Sequence, residues 1–294
     1  VADELGNLYV SDSGNDRIRK IDASTKLVTT IVSSQNGNEL EGDMAKLNSL
    51  VSELKSIDNR HLYATTAFSF QRPAGTRPEP EDEFFIAQWT KNGWIRGQGV
   101  FNSKPPHFDA DFTAGAEFVK IPLVSHEIGQ YSVYPDMSEI KKYTGVLEPL
   151  NFIAVKNDLE KKGLLDLAPD FTYNSGKLAS ILYKEEIERA LKTPSFDGFQ
   201  LLQLQDFPGQ GTALVGLLNA FWESKGIISA EEFRMFNSEL VPLIRFEKAV
   251  YENGETFNAK IEVANFFKPL NNQKINWSVR DEAGNVLANS LIKD

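Results

Sequence analysis

Ile121-Pro122-Leu123-Val124-Ser125-His126-Glu127-Ile128-Gly129-Gln130-Tyr131 is the stretch on which the reading of this chain turns. Its apolar start predicts a buried strand over residues 121–125. The run then breaks at His126-Glu127-Ile128-Gly129, which sets a carboxylate where the strand ends. An α/β barrel collects its reactive groups at that edge. Upstream, Asn36-Gly37-Asn38-Glu39-Leu40 sets a second carboxylate just before a helix-like segment.

The segments around these carboxylates alternate strands with helices and loops. Leu40, Met44, Leu47, Val51 and Leu54 recur at helical spacing and predict a helix over residues 41–56, followed by a short strand at 61–67. Residues 71–82 hold three prolines and three acids and read as a surface loop. A strand at 84–89 runs into residues 92–116, a length without regular pattern that is typical of an active-site loop or a disordered insert. After the 121–125 strand, residues 137–192 read as mostly helical, with Leu178, Ile181, Leu182, Ile187, Ala190 and Leu191 as a wide apolar face. A further strand is expected at 198–206. Strands separated in this way indicate a parallel sheet, and a barrel is the version that places all strand ends in one mouth.

The two ends of the chain read differently. Residues 5–22 predict a β-hairpin with a Ser/Asp/Gly/Asn turn, and residues 27–32 a third strand. From about Val241, alternating runs at 245–251, 257–265 and 274–281 lie between turn signals at Asn253-Gly254, Asn271-Asn272 and Ala283-Gly284. They predict an immunoglobulin-like β-sandwich, cut short because about seven strands would complete one.

Composition narrows the function classes. A hydrophobic content of 41% over 294 residues permits a substantial core, which excludes a disordered chain. With 31 basic against 41 acidic residues, the net charge near -10 argues against nucleic acid as a partner. The absence of cysteine removes disulfides and thiolate metal sites, and three histidines (His61, His107, His126) offer little for zinc, so no metal and no cofactor is expected. No apolar run of about 18 residues appears and no leader is visible at Val1, so no membrane insertion is expected. Gly209 and Gly211 lack the spacing of a phosphate-binding loop.

Two resemblances follow from these residues. Gly6-Asn7-Leu8-Tyr9-Val10-Ser11-Asp12, with Asn15, Arg17-Ile18 and Lys20-Ile21, resembles an NHL repeat, the unit of a β-propeller, over about 30 residues and without a second copy. The chain from Gly37 onward resembles the latter half of a catalytic barrel of glycoside hydrolase family 2, of the β-galactosidase and β-glucuronidase kind. In that family a Gly-Asn-Glu carries the acid/base, which falls on Gly37, Asn38 and Glu39. The nucleophile follows a Pro-Leu-Ile-x-x-Glu context, which falls on Pro122-Leu123-Val124-Ser125-His126-Glu127. His126 and Ile128 depart from the usual neighbours of that nucleophile, where an aromatic commonly follows the Glu.

The resemblance implies a retaining double displacement on a β-linked sugar of a polysaccharide or oligosaccharide. Glu39 would protonate the leaving oxygen, Glu127 would attack the anomeric carbon, and the two carboxyls would stand about 5–5.5 Å apart. Asn38 would bind the sugar 2-hydroxyl. His126, Trp89, Trp94 and Asp206 complete the expected substrate contacts, with Trp222 and Gln205 as further candidates. Each has a plainer reading: Glu39 as a helix cap, Glu127 as an ion-pair partner, His126 as a packed histidine, the tryptophans as core, and Asp206 as part of a structural turn.

The resulting expectation is an α/β chain built on an incomplete (β/α)8 TIM barrel. It comprises an NHL-like fragment at 1–34, a partial glycosidase barrel at 35–238 and a β-sandwich fragment at 239–294. Glycosidase ancestry is expected, while the absent first strands argue against activity of this chain alone. An open barrel edge predicts self-association. The family's polysaccharide-degrading members point to a periplasmic or extracellular setting in bacteria. Two other readings stay open: a carbohydrate-binding remnant without chemistry, and a propeller-type interaction module.

Overall fold

The computed structural model describes residues 5–12, 17–33, 44–65, 76–97, 107–271 and 273–293. Asn38 and Glu39 lie outside these described residues.

At the amino end, β1 (Leu8–Asp12), β2 (Arg17–Ile21) and β3 (Val28–Ser33) form an antiparallel meander in the order β1-β2-β3. The turn into β3 is organised by Asp22, whose carboxylate accepts the Ser24 and Thr25 N–H groups at 3.0 and 2.8 Å. Helix α1 (Met44–Ile57) buries Leu47 and Val51, two residues of the expected stripe, while Leu54 stays exposed. The strand expected at 61–67 does not form over its described part: residues 62–64 are irregular. There the Tyr63 and Thr65 N–H groups bond to the carboxylates of Glu83 and Asp82 instead of to a neighbouring strand.

The centre is a three-stranded sheet in the order β4-β7-β8, from β4 (Phe85–Ala87), β7 (Leu123–Ile128) and β8 (Gly198–Leu201). Both pairings are parallel, Phe85 to Leu123 on one side and Val124 to Gly198 on the other. The two-residue strands β5 (Trp89–Thr90) and β6 (Gly93–Trp94) make a small antiparallel pair directly after β4. The short α2 (Thr113–Ala116) follows, then α3 (Leu150–Lys162), whose αL cap is Gly163, and the long α4 (Ala168–Leu191).

Helix α4 joins two core clusters through the sheet. Ala190 packs with Phe85, Ala87, Leu123, Phe112 and Phe196, whereas Ala179, Tyr183 and Ile187 pack with Ile128, Val133, Leu217, Ile227 and Phe236. Strand β7 therefore spans both clusters, with Leu123 in one and Ile128 in the other. Of the apolar face expected on α4, Ile187 and Ala190 are buried and Leu191 packs against the core, whereas Leu178 and Ile181 are exposed and Gly176, Ala179, Ser180, Tyr183 and Glu186 are buried instead. Small residues allow close approach to neighbouring side chains; a Cβ on Gly176 would meet Ile227 Cγ2 at 2.3 Å.

After α5 (Ala230–Arg234), which begins with a Ser229/Glu232 capping box, the chain turns to hairpins. Strand β9 (Leu240–Phe246) pairs antiparallel with β10 (Ala259–Asn265), and β11 (Lys274–Arg280) with β12 (Val286–Lys293). Val241, Leu243 and Ala264 form a small core against Leu191. Among the described residues the sheets have two or three strands, no closed barrel is formed, and no helix is long and apolar enough to cross a membrane.

Candidate active site

The side chains of β7 alternate regularly up to Ser125, then two consecutive residues, His126 and Glu127, stand between the buried Ser125 and Ile128. The register against β8 shifts across this pair, and Glu127 adopts φ 56 in the left-handed region. An extra residue in a strand re-aims the side chains beside it, and holding a glutamate in this conformation costs about 1–3 kcal/mol. The surroundings that hold it are specific. Ser125 Oγ donates to Ile95 O at 2.7 Å on one side, and Leu202 N–H reaches Ile128 O at 3.0 Å on the other.

The strand therefore does not stop before the carboxylate, as the break at His126 predicts. It runs through Ile128 and presents Glu127 on a bulge.

Glu127 is the meeting point of side chains from several elements. Gln88, the residue after β4, donates from Nε2 to Glu127 Oε2 at 2.5 Å, and Gln130 donates from Nε2 to the same oxygen at 3.1 Å. Arg96 Nη1 stands 3.6 Å from that oxygen and His126 Nε2 3.6 Å from Oε1. His126 is held in turn by its Nδ1 contact with Gln200 Oε1 on β8, at 2.8 Å. Each strand of the parallel sheet thus contributes to one constellation at its carboxyl end. The Glu127 side chain retains 26% exposure, while the Arg96 side chain facing it retains 2%.

Beneath this surface lies a buried carboxylate. Glu186 of α4 is fully buried and accepts the Gly97 N–H on Oε1 at 2.8 Å and the Gly129 N–H on Oε2 at 2.7 Å. It thereby ties the segment carrying Arg96 to the end of the strand carrying Glu127. Burial pushes the Glu186 carboxyl upward, opposed by these two N–H groups, by Tyr131 and by the Arg96 charge. Arg96 is shifted downward by burial and held back by Glu186 and Glu127. Its Nε and Nη1 are buried without a hydrogen-bond partner, so the guanidinium acts here through its charge.

The other expected site residues are placed as follows. Trp89 and Trp94 pack edge to face with ring centroids 5.4 Å apart, Trp94 being 59% exposed, on the strand pair that leads into Arg96. Trp222 is exposed and has φ 65. Asp206 is buried and bonded to Lys225 Nζ at 2.7 Å and to the Gly216 N–H at 2.9 Å, in the wall of a separate cavity. Gln205 forms an isolated bridge with Leu218. Glu127 and His126 are brought together; Asp206 is committed elsewhere, and the distance from Glu127 to Glu39 falls outside the described residues.

Gln88, Arg96, Gln130, Gln200 and Glu186 are the members that sequence reading did not single out. Arg96 lay inside the long segment suspected of being an active-site loop. Glu186 stands in Lys184-Glu185-Glu186, where no local pattern marks it as buried. Glutamines at strand ends carry no motif, so only the parallel pairing identifies them.

Among known proteins, the family profile described as "Domain of unknown function (DUF8488)" matches residues 255–294, which covers β10, β11 and β12 and does not reach the Glu127 constellation. No curated protein matches the chain.

Proposed function

We propose that this chain is built on the catalytic framework of a retaining glycoside hydrolase, with Glu127 as nucleophile and Glu39 as acid/base. On this reading β4, β7 and β8 are strands of a (β/α)8-type barrel, and the substrate is a β-linked sugar. The observation that carries the proposal is the convergence of Gln88, Gln130, Arg96 and His126 on one half-exposed carboxylate at the carboxyl end of a parallel strand. A nucleophilic carboxylate must be open to the sugar on one face and oriented on the others, and Glu127 meets both conditions. Its left-handed backbone adds weight, because strain of this kind concentrates at functional positions.

The proposed step is attack of a Glu127 oxygen on the anomeric carbon with departure of the aglycone oxygen, which takes its proton from Glu39. Water then attacks the glycosyl ester, returning its proton to Glu39 and freeing Glu127. His126 and Gln130 would meet the sugar beside the reacting centre, and Asn38 its 2-hydroxyl. Trp94, exposed beside this constellation in sequence, offers an apolar face for a further sugar ring.

The test is hydrolysis of a panel of aryl β-glycosides, together with trapping by 2-deoxy-2-fluoro glycosides and peptide mapping of the label. The expected result is labelling of Glu127 and a loss of turnover of at least about 10³-fold in Glu127→Gln and Glu39→Gln. Label on another residue, or turnover unchanged by both substitutions, removes the proposal. A second reading, a sugar-binding surface without chemistry, is favoured by the exposed Trp94 and predicts oligosaccharide binding that Trp94→Ala abolishes, with no turnover by any form of the chain.

A further inference from the structure

A cavity of about 110 Å³ shares none of its lining residues with the Glu127 constellation. One wall comes from the turns after β7 and carries Asp136, Glu139 and Lys142; the opposite wall comes from the segment after β8 and carries Asp206, Glu223 and Lys225. Four carboxylates thus face two ammonium groups. Both lysines are already engaged, Lys225 with Asp206 at 2.7 Å and Lys142 with Glu223. Asp136 caps the following 3₁₀ turn by accepting the Ser138 N–H at 2.9 Å.

Glu139 is the group left over. It is only 3% exposed, and its Oε2 is buried with no hydrogen-bond partner among the described residues. An unmatched buried carboxylate oxygen is costly, and two things relieve it: a proton or a positive guest. Burial, then the neighbouring Asp206 charge, pushes the Glu139 carboxyl up to about 7, with Lys225 and Lys142 pulling the other way and Asp136 adding to the rise. Above that pH the proton leaves and the charge in the wall is uncompensated.

We propose that this cavity binds one small monovalent cation, held by Glu139 opposite the Asp206–Lys225 pair. The excess of carboxylates sets the sign of the guest. The cavity, about 110 Å³, has room for a small hydrated or bare cation. Among the described residues the carboxylates are not gathered into a set of three that a divalent metal would take, which leaves a singly charged guest. Ammonium, a primary alkylammonium and potassium share the required chemistry.

The experiment uses the whole chain and melts it at pH 8 in choline chloride, whose charge is covered by methyl groups and cannot come close to a carboxylate oxygen. Choline is then replaced, at constant ionic strength, by ammonium, methylammonium or potassium chloride. The expected result is a rise in melting temperature of about 2–4 °C in at least one of the three salts. The rise should vanish well below pH 7, where Glu139 holds its proton, and in Glu139→Gln at either pH. A response to the two amines alone identifies an organic or ammonium guest, and a response to potassium an inorganic one; either supports the site. Identical melting of the wild-type chain in all four salts overturns it, as does a response undiminished at pH 5. Should Glu139→Gln fold, an equal response in that variant overturns it as well.

Discussion

Glu127 and Gly129 show how one bulge divides conformational strain between two neighbours. Gly129, at φ 82, has a required identity: a Cβ there would fall 2.1 Å from Tyr183 Cε1. Tyr183 cannot yield easily, because its ring is fully buried and its hydroxyl donates to Val215 O. Gly129→Ala is therefore expected to lower stability by about 2–4 kcal/mol, read as a shift of the urea midpoint. Glu127→Gly is expected to do the reverse. It releases a left-handed side-chain residue and should raise stability by about 1 kcal/mol while ending any turnover. A Glu127→Gly chain less stable than wild type would show that the contacts to Gln88 and Gln130 outweigh the strain.

Helix α4 is the element whose role the sequence disguised. Its hydrophobic spacing was legible, yet its buried face is built from Gly176, Ala179, Ser180, Tyr183 and Glu186 and not from the larger Leu178 and Ile181. The close approaches are local: Gly176 sits against Ile227 and Tyr183 against Gly129, so small residues on one side of each contact admit a larger partner on the other. Glu186→Ala would leave the Gly97 and Gly129 N–H groups and the Arg96 charge without their partner. The expected cost is about 3–5 kcal/mol in chemical denaturation, with loss of order around Glu127 visible in the Gly129 amide resonance.

The 3₁₀ turn that carries Glu139 yields a pH dependence. Its folded value of about 7 lies above the ordinary 4.5, so between these values the native state binds more protons than the unfolded one. Stability from this group is full below about pH 4.5 and falls as pH rises towards 7, by about 3 kcal/mol at most. Urea midpoints at pH 5 and pH 8 in choline buffer should show this fall, and Glu139→Gln should flatten it.

Across the molecule, the β9–β10 hairpin is fastened to the segment before α2 and to the end of α4 by Arg245 together with Phe246, whose carbonyl accepts the Phe108 N–H at 3.0 Å. Arg245 Nη1 donates to Asp109 O at 2.7 Å and Nη2 to Lys192 O at 2.6 Å, while Nε bonds Glu262 at 2.7 Å and Asp111 lies 3.0 Å away. The apolar contribution comes from Val241, Leu243 and Ala264 against Leu191 and from Phe246 stacked on Phe108, with ring centroids 4.4 Å apart. Arg245→Ala is expected to split thermal unfolding into two calorimetric transitions, the lower one belonging to the hairpin; one unchanged transition would show that Leu191 and its neighbours suffice.

Residue order alone was enough to locate β4, β7, β8, β10 and β11, because period-2 and apolar runs are local properties of the chain; it set β9 about five residues late, at 245–251 against Leu240–Phe246, and did not mark β12. It also singled out Glu127, through the break in an apolar run. Local pattern carries no record of which strands become neighbours. The parallel order β4-β7-β8, which delivers Gln88 and Gln200 to either side of His126 and Glu127, was decided by tertiary pairing. The same holds for the buried charges. No local pattern marks Glu186, Glu139 or Asp206 as buried, and only the packing of α4 and of the turns after β7 and β8 removes them from water and determines that backbone N–H groups answer Glu186, a lysine answers Asp206 and, among the described residues, no hydrogen bond answers Glu139 Oε2.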